Sequence, residues 1–236
     1  MQINTALILC AGFGKRLHPL TQEIPKPLLK IKEITLLEKT MSFIEKLKIN
    51  KIMLNTFHLS NKIEEFTNKL NTKIKIELIN DGNEILDTGG GVLNMIRNTS
   101  EKDFLVFNPD TIWEDNYIKY VQEMIDLYFK QKMENILLVV NKDSSFDERL
   151  NGDFNLVDGK LNRQNNRNFV YTGCQIINKN IFSKIQKKNF SMNEVWNEQI
   201  KNSKLFGYES KNKFLHITDL NTVSYTHLTL PTILRV

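Results

Sequence analysis

Cysteine is nearly absent. The 236-residue chain holds Cys10 and Cys174 and no others. Two residues so far apart give neither a disulfide framework nor a metal-ligand spacing, so both read as reduced, small core residues. Long apolar runs are also missing. Nothing approaches the roughly 20 residues needed to span a bilayer, and no basic segment leads into an apolar one at the start. No membrane partner and a cytoplasmic location are therefore expected. Histidine is scarce, at four residues. His18, His58 and His216 stand isolated in sequence, with no persuasive His–carboxylate pair for general-base chemistry.

Charge is plentiful but unpatterned. The net charge is +5, yet the lysines are scattered among Glu and Asn instead of clustering with aromatics. That argues against nucleic acid as a partner and for a lysine-rich solvated surface around a pocket for anions. An apolar fraction of 41% is enough for the core of one large α/β domain, with or without a small appendage.

Apolar periodicity alternates along the chain. Residues 6–9 read as a buried strand, 34–49 as a helix capped by Thr35, and 51–56 as a strand. A helix over 60–70 and a half-buried strand over 73–78 follow. Strand 103–107, helix 115–132 and strand 135–140 continue the alternation. Asp158-Gly159, between two short runs, is a strong two-residue hairpin turn. Strand 169–177, a helix over 190–202 with Trp196 facing inward, and short strands at 204–208 and 213–217 complete the reading. This order predicts an α/β fold: a Rossmann-like, mostly parallel sheet flanked by helices, with a small β-hairpin insertion.

The most informative stretch follows the first strand. Ala11, Gly12, Phe13 and Gly14 are succeeded by Lys15 and Arg16, and Lys26 lies between Pro25 and Pro27. Glycine lets backbone N–H groups come close to phosphate oxygens, and three cations accompany it. A Rossmann fingerprint is excluded, because Leu17 stands where the third small residue should be and Pro19 follows. A Walker A loop is excluded too, with Leu9 in place of the first glycine and arginine after Lys15.

What remains is L-x-A-G-x-G-x-R-x-x-P-x-T followed by P-K-P, from Leu9 to Pro27. This resembles the sugar-phosphate nucleotidyltransferases. The segment from Leu86 to Gly91 (L-D-T-G-G-G) resembles the family's nucleoside-side L-x-T-G-G-G. By that resemblance Gly89 and Gly90 approach base and ribose, while Ala11, Gly12, Phe13, Gly14 and Lys15 hold the triphosphate. Asn108-Pro109-Asp110 resembles the family's N-G-D, although Pro109 removes a backbone donor. Asp219-Leu220-Asn221-Thr222 resembles D-x-G-T, with Asn221 in place of glycine. The implied metal ligands are Asp110 and Asp219, holding Mg2+. Arg16, Lys26 and Asp110 are the implied catalytic residues. Asn108, with Gly152, Asp153, Thr172 and Gly173 from the family's G-D-F and [FY]-[ST]-G segments, is implied on the sugar-phosphate side.

The resemblance implies small-molecule substrates, an NTP and a sugar-1-phosphate, with pyrophosphate released. Within the family, the short length, L-x-T-G-G-G and the G-D-F hairpin look most like the N-acetylmuramate-1-phosphate uridylyltransferases, implying UTP. Mannose-1-phosphate guanylyltransferases share the motifs, and a nucleotide-binding regulatory homologue without turnover is a further alternative. The resemblance covers residues 1–222, taken as the nucleotidyltransferase domain. Residues 223–236 have no Lys, Asn, Asp or Glu, unlike everything before them. They resemble a read through an adapter or vector joint, so a non-native or divergent tail is expected there.

Overall fold

The computed structural model describes residues 2–164 and 166–222. The suspected tail, 223–236, lies outside them. The centre is β1 (Thr5–Leu9), whose run of Ala, Leu and Ile is buried on both faces, as a central parallel strand requires. Parallel strands flank it: β4 (Lys51–Thr56) on one side and β6 (Asp103–Phe107) on the other. Outside β4 lies β5 (Lys75–Asn80), again parallel. Beyond β6 come β10 (Phe169–Asn178), β7 (Asn135–Asn141), β11 (Phe206–Ser210) and a hairpin of β9 (Lys160–Asn162) and β8 (Asn155–Val157). The sheet order is β5-β4-β1-β6-β10-β7-β11-β9-β8. Only β10 and β9 run against the rest, so the mostly parallel sheet is as expected. The reversed β10 was not foreseen, because a strand's apolar pattern carries no direction.

Helices cover both faces. On one side α2 (Leu36–Lys46), α3 (Ser60–Lys69) and α5 (Tyr117–Lys130) pack on Ala6, Ile8, Leu105 and Phe107. On the other, α4 (Asp87–Arg97) and α6 (Met192–Lys201) pack on Leu7, Phe104 and Val106. The alternation along β1 and β6 is the two-residue strand period. Leu7 is fully buried, and Leu7→Ala should cost about 2–5 kcal/mol by opening a cavity between sheet and helix.

Local signals were mostly obeyed. Thr35 caps α2, its hydroxyl accepting from the Glu38 N–H at 3.1 Å. Asp158 and Gly159 both take positive φ, as the primed hairpin turn demands. A small hairpin of β2 (Lys30–Ile31) and β3 (Ile34–Thr35) precedes α2, shortening the expected helix at its start. The predicted strand at 213–217 is instead an irregular segment with isolated bridges from Phe214 to Ser145 and from His216 to Thr111. Its backbone groups bond to loops: Ile217 N–H donates to Asp110 O at 2.8 Å and Ile112 N–H to Leu215 O at 2.8 Å.

Chain order makes the functional geometry. After β1 the sheet grows outward through β4 and β5, then returns to place β6 on the other side of β1. The carboxyl ends of β1 and β6 therefore flank a topological switch point, where open α/β sheets leave a crevice for ligand.

Candidate active site

A cleft of about 370 Å³ opens at that switch point. Ala11, Gly12, Gly14, Lys15 and Arg16 line it from the loop after β1, and Asn108, Pro109 and Asp110 from the loop after β6. Lys26, Asp87, Thr88 and Thr218 complete the polar wall. The sequence-predicted loop, Lys26 and Asp110 are thus brought together from distant parts of the chain.

The loop owes its shape to Gly14. That residue sits at φ +63°, and a Cβ there would lie 2.9 Å from Thr21 Cγ2. Its carbonyl accepts from Leu17 N–H at 2.8 Å and from the Thr21 hydroxyl at 2.9 Å. The turn leaves Lys15 and Arg16 exposed at the cleft. No long helix follows; a single 3-10 turn, Lys15–Leu17, and a short helix, α1 (Leu20–Glu23), do. The Phe13 ring turns aside to pack on Phe57 and His58, with centroids 5.9 and 5.2 Å away.

A buried amide anchors the loop's start. Asn55, at the end of β4, accepts from Cys10 N–H at 2.9 Å and donates to Asp81 Oδ2 at 2.8 Å. Asn94 of α4 donates to the other Asp81 oxygen at 3.0 Å. Burial raises the Asp81 pKa above the ordinary aspartate value, against these two hydrogen bonds. Asn55 was not singled out from the sequence; no spacing links it to residue 10.

Lys26 Nζ stands 2.5 Å from Asp110 Oδ2. Burial opposes ionisation of Asp110, but the ammonium's charge and hydrogen bond outweigh it and hold the carboxyl below its ordinary pKa. Asp219 is likewise occupied: its Oδ1 accepts from Thr222 N–H at 3.0 Å and its Oδ2 from Arg149 Nη2 at 2.9 Å. The Thr222 backbone bond is the larger cause, with Arg149 helping, of a depressed Asp219 pKa. Asp110 lines the cleft, while Asp219 follows the cleft residue Thr218; carboxylate oxygens are the ligand type a hard divalent ion takes, and such an ion would have to displace the cation each now holds. Among the described residues no group of three or more His, Cys, Asp or Glu side chains gathers as a metal site.

His216 was set aside as isolated, yet the fold puts it in this field. Burial lowers its pKa, and the charges acting on it come from Asp110, Lys26, Asp147 and Arg16. Its ring stacks on Phe214 at 4.8 Å. Arg149 was also missed, since no sequence pattern ties residues 147–149 to residue 219.

Other predicted site residues stand apart from the cleft. Gly89 and Gly90 lie buried in the first turn of α4, both N–H groups donating to Phe190 O at 2.9 and 3.0 Å. A Cβ at Gly89 would lie 2.4 Å from the Phe190 ring, and one at Gly90 2.2 Å from Lys188 O. Their close approach in this structure is to the 188–190 segment. The neighbouring Asp87 and Thr88 face the cleft instead. Residues of the sugar-side set also make structural contacts. Gly152 has φ +80° against Arg167 O, and Asp153 Oδ2 accepts from Tyr171 N–H at 2.9 Å; both fold the hairpin entry. Thr172 is buried, its hydroxyl donating to Leu138 O at 2.9 Å and its carbonyl accepting from Thr111 at 2.6 Å. Gly173 backs the β6 loop, its carbonyl accepting from Asn108 N–H at 2.7 Å. Cys10 and Cys174 are free and buried, and Trp196 is a core residue, its Nε1 donating to Gln175 Oε1 at 3.1 Å. Among the described residues no helix is long and apolar enough to cross a membrane.

Known proteins resemble this one. Bifunctional protein GlmU of Methanococcus aeolicus is 39% identical over 118 residues, 50% of this chain and 27% of that protein. The chain spans half or less of the length of the GlmU relatives it matches. Two relatives match nearly end to end. D-glycero-alpha-D-manno-heptose 1-phosphate guanylyltransferase of Aneurinibacillus thermoaerophilus is 26% identical over 90% of this chain and 92% of its own. N-acetylmuramate alpha-1-phosphate uridylyltransferase of Caulobacter vibrioides is 22% identical over 91% of each. The crystal structure of HddC from Yersinia pseudotuberculosis, complexed with GMP-PN, shares the fold at a TM-score of 0.75 and 21% identity, covering 96% of this chain and 99% of that one. The family model for nucleotidyl transferase matches residues 5–147. That match covers more than half of the sequence and takes in both loops of the cleft, and the chain belongs to the nucleotidyl transferase family.

Proposed function

We propose that this chain is a sugar-1-phosphate nucleotidyltransferase. A phosphate oxygen of the sugar-1-phosphate attacks the α-phosphorus of a nucleoside triphosphate in line. The bond to the β-phosphate breaks, pyrophosphate leaves and a nucleoside-diphosphate sugar forms. The observation that carries the reading is the convergence of Lys15, Arg16, Lys26 and Asp110 on one cleft at the sheet's switch point.

The nucleophile needs no base, because the second pKa of a phosphate monoester is about 6. The protein's task is positioning and charge neutralisation. Arg16 neutralises the departing pyrophosphate, and the N–H groups of Gly12, Phe13 and Gly14 receive phosphate oxygens. Lys26 serves the α-phosphate or the sugar phosphate, and Asn108 the sugar-phosphate side. Asp87 and Thr88, not Gly89 and Gly90, face the nucleoside. A divalent ion, Mg2+ by preference, would be held by Asp110 and Asp219; it supplies further neutralisation of the phosphates.

For the substrates we favour UTP and N-acetylmuramate-1-phosphate. The Caulobacter uridylyltransferase supports this by matching over 91% of each chain, at 22% identity. The heptose guanylyltransferase, at higher identity over a similar span, makes GTP with a sugar-1-phosphate the second reading. Pyrophosphate release measured for five NTPs against a set of sugar-1-phosphates, with and without EDTA, tests both. Release with UTP and N-acetylmuramate-1-phosphate above all other pairs is expected. Preference for GTP selects the second reading, and no release with any pair refutes the activity.

A further inference from the structure

Both carboxylates proposed as metal ligands are held by a cation from a distant part of the chain, but the two cations are held differently. Lys26 contacts Asp110 through one ammonium. Arg149 forks onto Asp147: Nε donates to Oδ1 at 2.7 Å and Nη2 to Oδ2 at 2.8 Å. The same Nη2 reaches Asp219 Oδ2 at 2.9 Å. Asp147 is buried and Arg149 is largely exposed, with side chains 7% and 57% accessible. The guanidinium is therefore fixed by two bonds to a buried anchor and offers Asp219 only Nη2. A bidentate carboxylate pair of this kind is the stronger and more directional contact. The contact to Asp219 can break without releasing the arginine.

We propose that Arg149 is a positioning residue that stands in for the divalent cation at Asp219, yielding that carboxylate to the metal while staying anchored on Asp147. The inference rests on the reading of Asp219 as a metal ligand. Without Arg149, Asp219 would keep its Thr222 N–H bond but face the charge of Asp147 unscreened. The guanidinium holds the carboxylate in place and offsets its charge. Metal then competes with one contact, from Nη2 to Asp219, so removing the arginine should tighten metal binding.

The test is direct Mn2+ binding to the whole chain, followed by electron paramagnetic resonance without sugar substrate, in the presence of a non-hydrolysable NTP analogue. Arg149→Met should bind Mn2+ about two- to fivefold more tightly, the range given by loss of an ion pair of ordinary exposed strength. Asp219→Asn should weaken binding, and in that background Arg149→Met should have little further effect, the signature of a coupled pair. Unchanged or weaker Mn2+ binding by a folded Arg149→Met overturns the proposal. Should that variant not fold, the unaltered chain decides. Mg2+ should shift the Arg149 Nη2 resonance with the midpoint of metal binding, and a stationary Nη2 resonance overturns the proposal. The outcomes separate from those of the parent reading. Metal binding that is insensitive to Arg149 sinks this inference alone, whereas no metal binding by any form sinks Asp219 as a ligand and the inference with it.

Discussion

Gly173 and Asn108 are locked together back to back. Gly173, on the bulged part of β10, has φ +89°, and its carbonyl accepts the Asn108 N–H at 2.7 Å. A Cβ on Gly173 would lie 2.9 Å from Asn108 Cβ and 3.1 Å from Thr111 Oγ1. The loop carrying Asn108 and Asp110 is thus set by a glycine on the neighbouring strand. Gly173→Ala adds the strain of a left-handed alanine to a steric push, costing about 1–3 kcal/mol. We expect a lower melting temperature together with a fall in turnover, as Asp110 shifts from Lys26. Unaltered melting and turnover would mean that this loop is set elsewhere.

Two other glycines should separate ligand contact from packing. Gly12 faces the cleft with nothing within 4 Å of a Cβ, whereas a Cβ on Gly90 would lie 2.2 Å from Lys188 O. Gly12→Ala should melt like the unaltered chain but bind NTP more weakly, because the methyl group occupies space a phosphate needs. Gly90→Ala should lose stability first, since backbone must move. The comparison needs only thermal melts and the KM for NTP. Equal melting losses in both would refute the division.

Legibility divides along the same line. The β1 loop could be read because its ligand-facing residues are consecutive, and a strand followed by a cationic glycine turn has few physical uses. The alternation of strands and helices gave the sheet, since apolar period reports local structure. What failed was anything requiring knowledge of what lies opposite. The run at Gly89 and Gly90 says only that something comes close, and that the 188–190 segment does so could not be read from it. His216 and Arg149 carried no signal, because their partners Asp110 and Asp219 are brought to them by tertiary folding alone. The segment 213–217 had a strand's pattern but finds its hydrogen bonds in loops around Asp110.

Arg16 should act on charge more than on structure. It is exposed and lines the cleft, so Arg16→Ala should leave the melting temperature nearly unchanged. If it neutralises the leaving pyrophosphate, turnover should fall on the order of 10²-fold. Arg16→Lys should recover only part of the loss, because an ammonium lacks the planar fork that meets two phosphate oxygens. Near-normal pyrophosphate release by Arg16→Ala would remove the residue from the reaction.

The buried Asp81 makes a pH prediction whose sign is fixed. Its folded pKa is raised by burial above the ordinary aspartate value. Between that ordinary value and the raised one, the folded state keeps a proton that the unfolded chain has lost. Stability therefore falls as pH rises through this window and is independent of this group above it. Asp81→Asn cannot titrate. It cannot accept from both Asn55 and Asn94 either, and that loss costs about 1–3 kcal/mol at every pH. The difference in unfolding free energy, variant minus unaltered chain, should thus move in the variant's favour as pH rises from 4, then level off. Urea unfolding at a series of pH values reads this difference directly. A difference that is flat, or that moves the other way, would mean that Asp81 is ionised across the whole range, with Asn55 and Asn94 stabilising the charge more than burial opposes it.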